Sequence, residues 1–579
     1  MKKKLLTTAS ATRCLFTTAC LLLTAACFAY DRQDYLRGSN GPGRSWWDVQ
    51  HYDLHVAFDT ATKSIGGWNT ITFKITAPPT DTMQIDLQDS MVIDDVVLKK
   101  QTSVYKFDAV TIISATGDFQ KDGNAWYIRN ILKNGWKQDS TYTLEIHFHG
   151  KPRHAVRPPW DGGLIWGKDS VGKPWIAVAC QGLGASCWWP CKDYQGDEPD
   201  NGMDMTYTLP KGLSIVGNGR LIDSGAATAA DADYPLGSSY NNHKFHWRVI
   251  NPINSYDATF YIGDYVHWSD TMMGEKGRLD LDFYALRYNE AKARKQFAVT
   301  KQMLHCFEYW MGPYPFYEDG YKLVEAPYLG MEHQSAVAYG NDYKMGYMGR
   351  DRSNTGEGLK FDFIIVHETG HEWFGNNITA KDIADNWIHE GFTTYTEGLF
   401  AQCLLGVEPA FNYIRGEWHN IRNDNPVIGP YGVNAEGSSD MYDKGSAVVH
   451  MMRMMMEDDT KFRQLLRSLN QHFYHKTVTE AEFEAYIHSF TGIDFTPLFN
   501  QYLRTAQIPV MEYYLKKKEL YYRFTNTVPG FTLRVNWDVV YNSPKVYPTA
   551  EWQHVKWQKS WTKSFRKDFL IDYKEVEGN

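Results

Sequence analysis

At 579 residues the chain is too long for one hydrophobic core, and roughly three or four domains are expected. Its apolar fraction of 43% and charged fraction of 22% are those of an ordinary globular protein, which argues against a disordered or membrane-embedded chain. The formal charge of −8, without a basic stripe, argues against nucleic acid as a partner.

The first residues read as a targeting segment. Lys2, Lys3 and Lys4 precede an apolar stretch from Cys14 to about Leu23, followed by the small residues Thr24, Ala25 and Ala26. The stretch is too short for a permanent transmembrane helix, so residues 1–29 are expected to be a signal peptide and the protein to be exported to a periplasm, cell surface or medium. Cleavage after Ala26 or Ala29 and lipid attachment at Cys27 are the alternatives, with Thr24 unlike the Leu usual three places before a lipidated cysteine. Beyond this segment lie Cys180, Cys187, Cys191, Cys306 and Cys403; export permits a disulfide among them, and an odd number leaves a thiol over. The spacing of the first three does not match a paired CxxC metal site.

From about 45 to 265 apolar and polar residues alternate in His51–Phe58, Trp68–Ile75 and Thr141–Phe148, with turn signals between, which predicts an antiparallel β domain. The pattern turns helical near 288. Helices are predicted over Asn289–Trp310, Leu359–Phe374, Asp385–Phe400, Ser446–Met456, Ala481–Phe490 and Thr496–Leu503, within a catalytic region spanning 266–507. From 508 to 579 strands return at Tyr513–Phe524, Phe531–Val540 and Trp552–Trp557. The expected fold is multidomain α+β.

The chemistry concentrates in FDFIIVHETGHEWFG, residues 361–375. His367 and His371 are four apart, so on a helix both imidazoles leave one face and can reach one tetrahedral Zn²⁺. Glu368, beside the first histidine, is placed to take a proton from water in the open position. A catalytic site needs a third protein ligand, and Glu390, nineteen positions after His371 at the head of the next helix, is the candidate. Of its rivals, His389 would point elsewhere, and Glu397 suits a bond to a ligand imidazole. HExxH alone is a moderate signal; the added acid sharpens it.

At these residues the sequence resembles the M1 family of zinc aminopeptidases, gluzincins with HExxH, eighteen residues and Glu. The likeness can be followed over about 45 to 510, in a short form without the large helical C-terminal domain of many relatives, and implies a thermolysin-like catalytic domain holding one zinc ion. Leu329-Gly330-Met331-Glu332-His333 is similar to the GxMEN strand, which implies that Glu332 binds a free α-amine while the backbone at Gly330 and Met331 aligns the peptide. Tyr442-Asp443-Lys444-Gly445 resembles the YxKG motif, which implies that Tyr442 stabilises the oxyanion. Gln181 and Pro190-Cys191-Lys192-Asp193 resemble the Q…PCxD segment, which implies a place for Gln181 in the first specificity pocket and amine site. Leu329, His333, His389 and Ser186 depart from the usual Gly, Asn, Asn and Arg, which puts pocket shape rather than catalysis in doubt. The resulting expectation is an aminopeptidase acting on peptides with a free N-terminus. The rival readings are an endopeptidase, a glycyl aminopeptidase of the M61 type, and a zinc-retaining cell-surface binding protein without turnover. Trp188 and Trp189 either floor an apolar pocket or sit in the β-domain core.

Overall fold

In a computed structural model the described residues are 30–578 apart from 104–105, 115–118, 130, 133–134, 229–241, 537–544 and 558–567. The expected signal peptide, the lipidation site Cys27 and the end of the strand expected to reach Val540 lie outside them.

A helix α1 (Arg32–Gly38) comes first, its N-terminus closed by a capping box between Asp31 and Asp34. An eight-stranded sheet follows, with Trp47–Asp59 near its centre. That strand pairs antiparallel with Ser64–Ile75, but parallel with Met203–Pro210 in the register Tyr52 to Met203. The β region is therefore mixed, not purely antiparallel as its alternation predicts, because strand spacing along the chain does not specify which strands meet. Trp188 and Trp189 lie in the core of this region, edge-on to each other and to Phe260 and Tyr52.

A five-stranded sheet runs in the order Tyr265–Gly274, Gly277–Leu286, Tyr321–Glu325, Val337–Tyr339, Gly330–Met331. Its period-2 alternation sends side chains to opposite sides. Leu323, Val337 and Tyr339 join the core of the helical region, while Val324, Ala326, Met331 and Ala338 join the core of the β region. The sheet is thus a shared wall, with the Gly330–Met331 strand at its edge.

The helices are α2 (Glu290–Gln296), α3 (Thr300–Met311), α4 (Phe363–Gly370), α5 (Trp387–Leu405), α6 (Val407–Glu417), α7 (Asp443–Met456), α8 (Asp459–His472), α9 (Glu480–Thr491) and α10 (Thr496–Tyr502). The single helix expected over Asn289–Trp310 is broken by a tight turn at Phe297–Val299. α4 begins later than the apolar run suggests, because Asp362 caps it, accepting from the amides of Ile364 and Ile365. It also ends earlier: Phe374 is extended and Gly375 has a φ of 130°, so the helical path breaks there. α6 and α8 were not expected; α6 carries Pro409 and Gly416, which read as breakers, whereas the α8 stripe of Phe462, Leu465, Leu466 and Leu469 follows helical spacing. Tyr513–Phe524 is a hairpin of Val510–Lys516 and Glu519–Thr525, turned at Lys517 and Lys518, both at positive φ. Its Met511, Leu520 and Phe524 pack into the helical region's core.

Cys306 on α3 and Cys403 on α5 form a disulfide, while Cys180, Cys187 and Cys191 are buried thiols. No helix among the described residues is long and apolar enough to cross a membrane.

A candidate metal centre and substrate cleft

Every residue of α4 is buried, so the helix carrying His367 and Glu368, with His371 as its C-terminal cap, is held on all sides. α5 crosses it and brings Glu390 opposite the histidines. Glu390 Oε2 lies 3.5 Å from His367 Nε2 and 3.3 Å from His371 Nε2. Donor atoms about 2.0–2.1 Å from one tetrahedral ion stand about 3.3–3.4 Å apart, so the set has the size of a zinc site. The other ring nitrogens agree. His371 Nδ1 lies 3.0 Å from the carbonyl of Phe374, and His367 Nδ1 lies 2.7 Å from Glu397 Oε1. Both of those partners only accept, so each Nδ1 carries the proton and each Nε2 turns a lone pair inward. Glu390 Oε2 is buried and has no hydrogen-bond partner among the described residues, as a metal ligand would be without its ion. The donor set therefore fits Zn²⁺.

Glu397 is fully buried and also accepts from the hydroxyl of Tyr413. His389 points away from the metal group, where its Nε2 accepts from the amide of Ala380 at 2.7 Å. Glu332, Glu368 and His371 form a second group whose donor atoms lie within 4.8 Å of one another. Gly330 makes that approach possible: a Cβ there would stand 2.4 Å from Glu368 Oε1 and 2.8 Å from Ile364 Cγ2. Burial pushes the Glu368 carboxyl up to about 7, against the pull of His367 and His371. Burial also raises that of Glu332, with His371 opposing it.

Glu332 follows the edge strand and is 3% exposed, yet no Lys or Arg among the described residues pairs with it. Instead its Oε1 accepts from Gln181 Nε2 at 2.6 Å and from the Tyr256 hydroxyl at 3.2 Å. Gln181 comes from the β region, as the sequence implies. Tyr256 was missed; it sits in an irregular turn capped by Asn254, with no motif around it. His333 does not face this site, because it is fully buried with Nδ1 2.7 Å from the Tyr261 hydroxyl.

Tyr442 precedes α7, its ring centroid 6.0 Å from that of His367. It is brought there by a glycine contact between helices: a Cβ on Gly445 would stand 2.8 Å from Gly391 Cα, so α5 and α7 cross closely only because both positions are glycine. Burial, and after it the charge of Glu390, raises the Tyr442 phenol well above its ordinary pKa and keeps its proton in place to donate. A cleft of about 850 Å³ joins these groups, with Gln181, Glu332, His367, Glu368, Glu390 and Tyr442 in its wall. The structure thus brings Gln181, Gly330, Met331, Glu332, His367, Glu368, His371, Glu390 and Tyr442 together in one cleft, while His389, Trp188 and Trp189 lie outside it.

Residues 296–502 match the peptidase family M1 domain. The chain is 22% identical to leukotriene A-4 hydrolase of Xenopus laevis over 471 residues, covering 77% of this chain and 68% of that protein. It resembles in fold an M1 zinc metallopeptidase from Deinococcus radiodurans, with a TM-score of 0.60 at 18% identity, over 80% of this chain and 95% of that one. A further fold likeness is to an aminopeptidase A of Legionella pneumophila, with a TM-score of 0.69 at 15% identity, over 92% of this chain and 60% of the other.

Proposed function

We propose that this chain, a zinc metallo-aminopeptidase of peptidase family M1, releases the N-terminal residue of peptides through a division of labour between Glu332, Glu368 and Tyr442. Zinc held by His367, His371 and Glu390 would polarise the scissile carbonyl and make water acidic enough to lose a proton near neutral pH. The observation that carries the reading is Glu332. A buried carboxylate held by Gln181 and Tyr256, with no Lys or Arg partner among the described residues, is costly unless a ligand brings the positive charge. The α-ammonium of a peptide is that charge, and it sets the register. With the ammonium on Glu332, the first peptide carbonyl falls at the metal group, and the backbone at Gly330 and Met331 can pair with the extended substrate.

Glu368 takes the proton of the attacking water and passes it to the leaving amine. The Tyr442 hydroxyl donates to the oxyanion as the carbonyl carbon becomes tetrahedral. Collapse then breaks the C–N bond, giving a free amino acid and a peptide one residue shorter.

A pair of peptides tests the reading: one with a free N-terminus, the other N-acetylated. The expected result is chelator-sensitive release of the first residue from the free peptide only. Internal cleavage of the blocked peptide would favour an endopeptidase, and no turnover of either would favour the binding-protein alternative.

Export of the protein, division into units 1–29, 45–265, 266–507 and 508–579, and the possible lipid anchor at Cys27 belong to the same proposal. Export draws support from the leader pattern and from the Cys306–Cys403 disulfide, which persists in oxidising compartments. Labelling Cys27 with a radioactive fatty acid, read against a Cys27→Ser variant, decides the mode of attachment.

A further inference from the structure

α1 has no place in the chemistry above, yet its last side chain reaches the rim of the cleft. The Arg37 guanidinium makes four contacts. Nη1 donates to the carbonyl of Gly182 at 2.9 Å and to Asn434 Oδ1, Nη2 lies 3.4 Å from the carbonyl of Gln181, and Nε is 3.3 Å from Asp193 Oδ2. Asp193 Oδ2 also accepts from the Ser186 hydroxyl at 2.6 Å. Gln181 and Gly182 belong to the β region and Asn434 to the helical region, and all three line the cleft. The helix backbone adds a second tie: the Asn434 amide donates to the carbonyl of Asp34 at 2.9 Å. Gly38 lies so close to this loop that a Cβ would stand 2.0 Å from the Val433 carbonyl carbon.

We propose that Arg37 is a positioning residue for the ammonium site: it clamps the Gln181–Gly182 segment to Asn434 and so fixes the grip of Gln181 on Glu332. Arg suits this task because its planar fork offers five donors in fixed directions, where Lys offers a point charge on a flexible stem. The clamp lies on the amine side of the cleft, so its effect falls on ligands that carry an α-ammonium. Ligands that bind only through the metal group are indifferent to it.

This inference rests on the reading of Glu332 and Gln181 as the ammonium site. Its test uses the full-length zinc-loaded enzyme and two inhibitors, an amino-acid hydroxamate and the same acyl hydroxamate without the amine. For Arg37→Ala the inhibition constant of the amino compound and KM for an aminoacyl arylamide should both rise about 10-fold, the scale of one lost charge-assisted hydrogen bond. The inhibition constant of the des-amino compound should stay within about twofold, and kcat should change little. Arg37→Lys should recover part of the loss. Asn434→Ala, which removes only one arm and leaves α1 in place, should show a smaller rise of the same selectivity.

Equal weakening of both inhibitors would mark general damage to the fold and overturn the clamp. So would a preference for the amino compound that survives both Arg37→Ala and Asn434→Ala. If the unaltered enzyme shows no preference for the amino compound, the ammonium site itself is misassigned, and the clamp falls with it.

Discussion

If His367 holds the metal as proposed, the hydrogen bond from its Nδ1 to Glu397 Oε1 should set how tightly the ion is held, and Glu397→Gln isolates its charge. At 2.7 Å and fully buried, the pair is a charge-assisted bond, worth about 1.5–3 kcal/mol against about 1 kcal/mol for a neutral one. Gln keeps an acceptor but loses the charge, so about 1–1.5 kcal/mol goes, or roughly 10-fold in zinc affinity at about 1.4 kcal/mol per decade. Glu397→Ala removes the acceptor altogether and leaves the Tyr413 hydroxyl only Glu417 Oε1, at 3.0 Å, which should bring the loss to about 100-fold. Competition against a chromogenic chelator at fixed pH reads the dissociation constant directly, with thermal melting of the metal-free protein as the control for folding. Zinc affinity within twofold of the unaltered protein in both variants would refute the reasoning, since the imidazole would then be oriented by its packing alone.

Glu368→Gln should keep the same zinc affinity while kcat falls about 10²–10⁴-fold, the span of general-base catalysis; full activity would sink the role. Tyr442→Phe should depress kcat about 10²–10³-fold with a smaller effect on KM, as seen when an oxyanion donor is removed; the reverse pattern would argue against it. Gly330→Ala puts a methyl 2.4 Å from Glu368 Oε1, and at least about a 10-fold loss of kcat is expected with zinc content unchanged in elemental analysis. The Cys306–Cys403 disulfide closes a span of 97 residues, for which chain entropy predicts up to about 4–5 kcal/mol. Cys403→Ser should therefore lower the denaturation midpoint by a corresponding amount without changing zinc affinity.

The metal centre was legible because its information is local. Two histidines one helical turn apart share a face whatever surrounds them, and Asp362, which caps that helix, lies only five residues before His367. Glu390 and Glu397 could be assigned by distance along the chain, since the second stretch is itself a continuous helix carrying both. Tyr256 and Arg37 could not, because what places them is the packing of segments far apart in sequence; Arg37 and Asn434 are 397 residues apart. The same limit applies to the fold. Alternation identified three strands of the β region, His51–Phe58, Trp68–Ile75 and Thr141–Phe148, but not the parallel pairing of Trp47–Asp59 with Met203–Pro210. The departures at His333 and His389 cast doubt on the pocket in sequence, yet both side chains are buried against Tyr261 and the Ala380 amide.

The wall shared by the two cores has a consequence for how this enzyme would fail. The proposed metal ligands, Glu368 and Tyr442 all belong to the helical region, whereas two of the groups that steady Glu332, Gln181 and Tyr256, come from the β region. On the proposed reading, heat or denaturant that loosens one core from the other would spare the hydrolytic groups and blur the ruler that marks where the peptide begins. Ageing preparations should accordingly show ragged product ladders, with cuts beyond the first bond, before they show loss of zinc.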